Sequence, residues 1–149
     1  MTLAELKNTK GRILGVDFGE ARTGLAVSDL SRFLASGLGN VKGGGLSGSA
    51  ERIVAAAKEQ GAVAVVLGLP VNMNGTEGPR AERCRQLAAT IGELCPDLPV
   101  VLADERMTTQ VASRFLNETD TRGKKRKGVI DTLSAQIILQ DVLDRLKYL

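Results

Sequence analysis

Apolar positions along the chain fall into short extended runs and longer helical stripes, and their order sets the expected architecture. Residues 12–18 and 23–28 are rich in aliphatic and β-branched side chains on either side of a glycine-punctuated turn, the pattern of a β-hairpin. A third extended stretch at 33–41 completes an antiparallel meander, which Gly43-Gly44-Gly45 breaks. Residues 50–60 place Ile53, Ala56 and Ala57 on one helical stripe, with Ser47 or Ser49 as cap and Gly61 as stop. Residues 62–67 are apolar without alternation, which suits a central parallel strand covered on both faces. Pro79 then opens a helix carrying Cys84, Leu87, Ala88, Ile91, Leu94 and Cys95 on one face, and Pro96 and Pro99 end it. Residues 98–103 form a last short strand, closed by Asp104-Glu105-Arg106. Thr108 or Thr109 can cap a further helix with Val111, Ala112, Phe115 and Leu116 inward, residues 117–128 read as a mobile basic loop, and residues 129–147 as the final helix. Residues 1–11 have little periodicity and read as a short leader.

The order β-β-β-α-β-α-β-α-α predicts an α/β fold. Three meander strands and two parallel strands make a five-stranded mixed sheet, and right-handed crossovers place helices on both faces. No repeat or second core is visible, so one domain over residues 1–149 is expected.

Composition narrows the chemistry. Histidine is absent, which excludes serine and cysteine triads, His-based zinc sites and a histidine general base. Aromatic residues are 3% of the chain with no Trp, so recognition by several stacked bases is unavailable. The 20 basic residues exceed the 17 acids, for a formal charge of +3, mildly favouring an anionic partner. Cys84 and Cys95 lie in one predicted helix, roughly 16 Å apart at about 1.5 Å per residue, too far to bridge. They read as small buried hydrophobes in a reducing compartment. Without a signal peptide or an apolar run of about 20 residues, a cytoplasmic protein with no membrane association is expected.

Acids stand at three places where an α/β sheet gathers its sites. Asp17 interrupts the first strand, Asp104 and Glu105 close the last, and Asp131 opens the final helix. A buried strand carboxylate costs several kcal/mol unless donors or a cation compensate it. Asp17 could instead be a turn aspartate satisfied by backbone amides, Asp104-Glu105 a solvated strand end, and Asp131 a helix-start acid interacting with the dipole. Yet Asp131, Ala135, Ile138 and Val142 share one helical stripe, which directs Asp131 toward the core. Three inward acids without histidine suit a hard cation with oxygen ligands, Mg²⁺ or Mn²⁺, of the kind that supports phosphodiester hydrolysis. Arg122, Lys124, Lys125, Arg126 and Lys127 directly precede Asp131, and the expectation is a phosphate clamp ordering on nucleic acid rather than a merely solvated charge run.

Four motifs now carry a resemblance over nearly the whole chain. They are Gly15-Val16-Asp17-Phe18-Gly19 with Arg22-Thr23-Gly24, Gly68-Leu69-Pro70-Val71-Asn72-Met73-Asn74-Gly75-Thr76, Asp104-Glu105-Arg106-Met107-Thr108-Thr109, and Val129-Ile130-Asp131 with Ala135. In these the chain resembles the YqgF family, also called RuvX, described as Holliday junction resolvases or as nucleases maturing the 5′ end of small-subunit ribosomal RNA precursor. The resemblance implies an RNase H-like fold and a metal-dependent triad of Asp17, Glu105 and Asp131, with Asp104 as a further candidate ligand. It also implies nucleic-acid contacts at Arg22, Arg106 and Thr108 beside the basic run. Where the resolvases proper carry a glutamate at the end of the middle strand, this chain has Gly68.

The functional expectation is an endonuclease acting on structured RNA, monomeric or homodimeric, with a DNA junction as alternative substrate. A catalytically weak nucleic-acid-binding assembly factor is the alternative from another class. Asp17-Phe18-Gly19 followed by Thr23-Gly24 is also similar to the phosphate loop of actin-like ATPases, but those need two lobes and this chain supplies one.

Overall fold

The computed structural model describes the backbone of residues 1–104 and 123–149 and the side chains of residues 1–104 and 132–149. In chain order the elements are α1 (Leu3–Lys7), β1 (Arg12–Asp17), β2 (Arg22–Ser28), β3 (Ala35–Lys42), α2 (Gly45–Gln60), β4 (Ala62–Leu69), α3 (Pro79–Leu94), β5 (Val100–Asp104) and α4 (Gly123–Leu146). The sheet order is β3-β2-β1-β4-β5. β1–β2 and β2–β3 pair antiparallel, whereas β1–β4 and β4–β5 pair parallel, the mixed sheet that the sequence predicts.

Strand alternation splits the core into two layers. Leu14, Val16, Leu25, Val65, Leu67 and Leu69 face α2 and α3, where Ile53, Ala57, Cys84, Leu87 and Ile91 meet them. Ile13, Ala26, Ala35, Ala64, Val66, Val101 and Ala103 face α4, packing on Ala135, Ile138, Leu139, Val142, Leu143 and Leu146. The second face carries smaller side chains, and α4 comes down hard on it. A Cβ added at Gly15 would stand 2.7 Å from Leu139 Cβ and 3.1 Å from the Ala135 carbonyl oxygen. Glutamines then stitch the helix to the edge strand: Gln136 Nε2 donates to Ala35 O at 3.1 Å, and the Ala35 amide donates to Gln140 Oε1 at 2.9 Å.

Those contacts fix the direction of α4. Residues 33, 35 and 37 meet Gln140, then Gln136, then Thr132, so the helix runs antiparallel to β3. β3 is parallel to β1, being two antiparallel steps away. The N-terminal turns of α4 therefore lie toward the C-terminal end of β1, where Asp17 stands.

Three boundaries depart from the sequence reading. Residues 1–11 contain a helix, α1, closed by a capping box in which Glu5 N–H donates to Thr2 Oγ1 and Thr2 N–H donates to Glu5 Oε1; its Leu6 is fully buried. α2 starts at Gly45 behind Gly44, with no side-chain cap, so neither Ser47 nor Ser49 is the N-cap. α4 begins at Gly123, so residues 123–128 of the expected basic loop are helical, and Lys and Arg are good helix formers. Residues 117–122 of that loop, and the helix expected after Thr108, lie outside the described residues. Pro79 at the first turn of α3 and Gly61 at φ 67° closing α2 are as expected. Cys84 is buried in α3, Cys95 caps its end, and the two form no disulfide.

Because neither Leu139 Cβ nor the Ala135 carbonyl can withdraw without lifting the helix, Gly15→Ala should destabilise the fold by about 1–3 kcal/mol. Urea denaturation followed by circular dichroism measures this, and an unchanged midpoint would contradict the close approach.

Candidate functional site

The C-terminal ends of β1, β4 and β5 share one edge of the sheet, because these strands are parallel. Asp17 is the last residue of β1 and is half-buried. By alternation it continues the Ile13, Gly15 series and so lies on the α4 face. Its register partner on β2 is Gly24. On the other flank Val16 pairs with Leu67, which sets Gly68 beside Asp17. Neither lateral neighbour contributes a side chain beside the carboxylate.

β5 decides which of its terminal acids shares that face. Val101 and Ala103 pack toward α4, whereas Val100 and Leu102 pack toward α2 and α3. Asp104 follows Leu102 in the alternation, is exposed, and pairs in register with Leu69 of the opposite layer. Asp104 and Asp17 thus point to opposite faces of the sheet. Glu105, Arg106, Thr108 and Arg122 lie outside the described residues. Asp131 stands in α4 one turn before Ala135, the residue whose carbonyl faces Gly15; its side chain, with those of Lys124, Lys125, Arg126 and Lys127 in the first turns, lies outside the described part. Arg22 opens β2 opposite Lys42 of β3. Among the described residues no three Asp, Glu or Cys side chains gather closely enough to hold a metal ion.

The turns around this edge are firmly built. Gly19 passes so close to the Arg22 carbonyl that an added Cβ would stand 2.5 Å from its oxygen, which keeps the β1–β2 turn tight. Glu20 on that turn pairs with Arg83 of α3 at 3.0 Å. After β4, Asn72 N–H donates to Thr76 O at 2.8 Å, and Thr76 Oγ1 donates to Asn74 Oδ1 at 2.7 Å. Val71 and Glu77 bridge the base of this loop. Arg85 grips Glu77 through Nε and an Nη2, each at 2.7 Å, and this hydrogen-bonded pair holds the Glu77 carboxyl below its ordinary range. Asn72, Asn74 and Thr76 of the quoted motif thus form an Asn-x-Asn-x-Thr network, whose signal in sequence is the Asx preference for bonding the backbone two residues on.

Solved structures share this arrangement of strands and helices. Thermus thermophilus RuvC superposes with a TM-score of 0.55 at 14% identity, covering 91% of this chain and 96% of RuvC. The Fowlpox virus resolvase in complex with Holliday junction DNA gives 0.58 at 10% identity, covering 91% of this chain and 98% of the resolvase. The fold is the RNase H-like fold of these nucleases. The family model described as RuvX, Holliday junction resolvase, matches residues 11–145, and the chain belongs to that family. It is thereby a nuclease, a hydrolase of phosphodiester bonds. A protein of Ruminiclostridium cellulolyticum named "Putative pre-16S rRNA nuclease" is 40% identical over 136 residues, 91% of this chain and 95% of its own length. A protein of the same name from Cereibacter sphaeroides is 45% identical over 147 residues, 99% of this chain and 91% of its own.

Thr76→Val removes one donor from an exposed network, so global stability should fall by no more than about 1 kcal/mol while amide exchange at residues 72–76 accelerates. Hydrogen exchange by mass spectrometry or NMR reads both effects, and unchanged local protection would contradict the network's role.

Proposed function

We propose that this chain is a divalent-metal-dependent endonuclease that processes structured RNA, its substrate being the small-subunit ribosomal RNA precursor. The observation that carries the reading is Asp17: a half-buried carboxylate at a parallel strand end, flanked by Gly24 and Gly68, on the face α4 covers. Relatives named as pre-16S rRNA nucleases, matching at least nine-tenths of the chain, support the choice of RNA.

The residues fit a hard cation. Asp17, Glu105 and Asp131 would supply an oxygen-only donor set, which suits Mg²⁺ or Mn²⁺ and not a thiolate- or imidazole-loving metal. Such an ion would supply Lewis acidity for a phosphoryl oxygen and a nucleophilic water at neutral pH. The chain's own contribution is positional. β1 fixes Asp17 at the sheet edge, α4 brings the turn holding Asp131 toward that edge, and Glu105 is preferred over Asp104 because Asp104 belongs to the other face. Arg122, Lys124, Lys125, Arg126 and Lys127, with Arg22, Arg106 and Thr108, would hold phosphates by charge and hydrogen bonding, giving salt-dependent affinity without sequence readout.

A second reading, resolution of DNA junctions, is favoured by the description of the family model. Both substrates need the same acids, so substrate choice is decided by comparing them at equal salt.

The test is cleavage of precursor ribosomal RNA and of a four-way DNA junction with Mg²⁺, Mn²⁺ or chelator. Chelation should abolish cleavage. Asp17→Asn should lower it by about 10²-fold or more, since several kcal/mol of charge stabilisation are at stake, while thermal stability is kept. Asp104→Asn should stay within about tenfold of the unaltered enzyme. Full activity of a pure Asp17→Asn protein would reject the site, and preferential cleavage of the junction would reject the RNA assignment.

A further inference from the structure

Among the described residues three buried side-chain oxygens have no hydrogen-bond partner: Thr23 Oγ1, Ser49 Oγ and Ser134 Oγ. A hydroxyl taken out of water without a partner destabilises a fold, so each calls for a reason. Thr23 alternates with Leu25 and therefore faces α2 and α3, and Ser49 belongs to α2 itself. Ser134 alone of the three lies on α4, the helix covering the face that carries Asp17. It is 1% exposed.

The flank of α4 that Ser134 occupies follows from its neighbours. Ala135 and Leu139 meet Gly15 of β1, which marks the side of the helix turned to the sheet. Thr132 Cγ2 lies against Gly37 and Gln136 Nε2 donates to Ala35 O, so these two reach β3. Ser134 is two residues from each, roughly 200° around the helix, and so occupies the opposite flank. Because the sheet runs β3-β2-β1-β4-β5, the flank away from β3 is the one toward β4. There Gly68 lies beside Asp17 with no side chain of its own. Along the helix axis Ser134 is on the Asp131 side of Ala135, and Asp17 lies two residues beyond Gly15 in the same direction. The orphan hydroxyl is thus held at the proposed nuclease site and not elsewhere in the core.

We propose that Ser134 is a positioning residue of that site, its hydroxyl donating to the Asp131 carboxylate once that carboxylate is turned onto a divalent cation. The inference rests on the metal-dependent reading given above. Residues three apart on a helix are neighbours, which puts Ser134 within reach of Asp131. A carboxylate that gives one oxygen to a cation is oriented by a donor to the other. The helix offers no alternative donor on this flank: Ala135 and Ile138, which share the stripe of Asp131, are hydrocarbon, and Thr132 and Gln136 face β3. Ser134 therefore costs stability in the free chain and returns it as cation affinity.

The test is calorimetric titration of the full chain with Mn²⁺, beside thermal unfolding in chelator. Ser134→Ala removes the orphan hydroxyl, so its Tm in chelator should rise by about 2–4 °C. Its Kd for Mn²⁺ should nevertheless weaken by roughly tenfold. Ser49→Ala, the same change on the other face, should raise Tm alike and leave Mn²⁺ binding as it was. Asp17→Asn should weaken Mn²⁺ at least as much as Ser134→Ala does, which checks the metal site separately. If Asp17→Asn loses Mn²⁺ while Ser134→Ala holds it like the unaltered chain, the positioning role is overturned and the site stands. A fall in Tm of Ser134→Ala in chelator overturns it too, since the hydroxyl would then already have a structural partner. If the unaltered chain takes up no Mn²⁺, the site and this inference fall together.

Discussion

The close approach of α4 to β1 at Gly15 governs the rest of the structure. With Leu139 Cβ and the Ala135 carbonyl both within reach of where a Gly15 side chain would stand, the helix sits closer to the sheet than larger residues would permit. The neighbouring strands answer with Ala26, Ala35, Gly37, Ala64 and Ala103, so one helix packs closely across much of that face. Close seating lets the Gln136 and Gln140 side chains reach the backbone of β3, pairing groups that an edge strand would leave exposed. It also leaves α4 little freedom to slide along β1.

The two faces of the sheet consequently do different work. Toward α2 and α3 the strands present Leu14, Val16, Leu25, Val65, Leu67 and Leu69, large aliphatics whose burial supplies much of the hydrophobic stabilisation. Toward α4 they present small residues whose contribution is proximity. A carboxylate fits the second face better than the first, because Asp17 at the strand end trades burial for access. Gly24 and Gly68 beside it keep aliphatic side chains off its flanks. At the same position on the other face, Asp17 would be surrounded by leucines and far from the helix that carries Asp131.

Much of this was legible in the residues. β1 and β2 could be read from β-branched runs around a glycine turn, β4 from its uninterrupted apolar stretch, and α3 from Pro79 and its stripe. Asp17 stood out as a charge where a strand wants an aliphatic. What escaped were elements whose signals are short or contrary. α1 is five residues, too short for periodicity, and only the Thr2–Glu5 box announces it. α4 begins with glycine and a dense cationic run, a pattern more typical of loops, and tertiary packing over the later turns overrides that local preference. The face of Asp104 was illegible for a different reason. Successive side chains of a strand alternate between its faces, and only the β4–β5 register, pairing Leu69 with Asp104, says which way this one goes.

The same register separates the two ends of the molecule. At the Asp17 edge the close approach falls on a glycine, Gly19 against the Arg22 carbonyl, while Gly24 and Gly68 flank the carboxylate. At the far end the demand falls on Arg32, which takes a glycine-like φ while using three hydrogen bonds to hold α1, the start of β1 and the β2–β3 turn together. A glycine there would adopt the backbone more cheaply but tie nothing down. Arginine therefore fixes the turn, with Leu30 and Phe33 at its surface, against α1 and the start of β1. It also couples that surface, through Leu6 and Gly11, to the start of the strand that ends at Asp17.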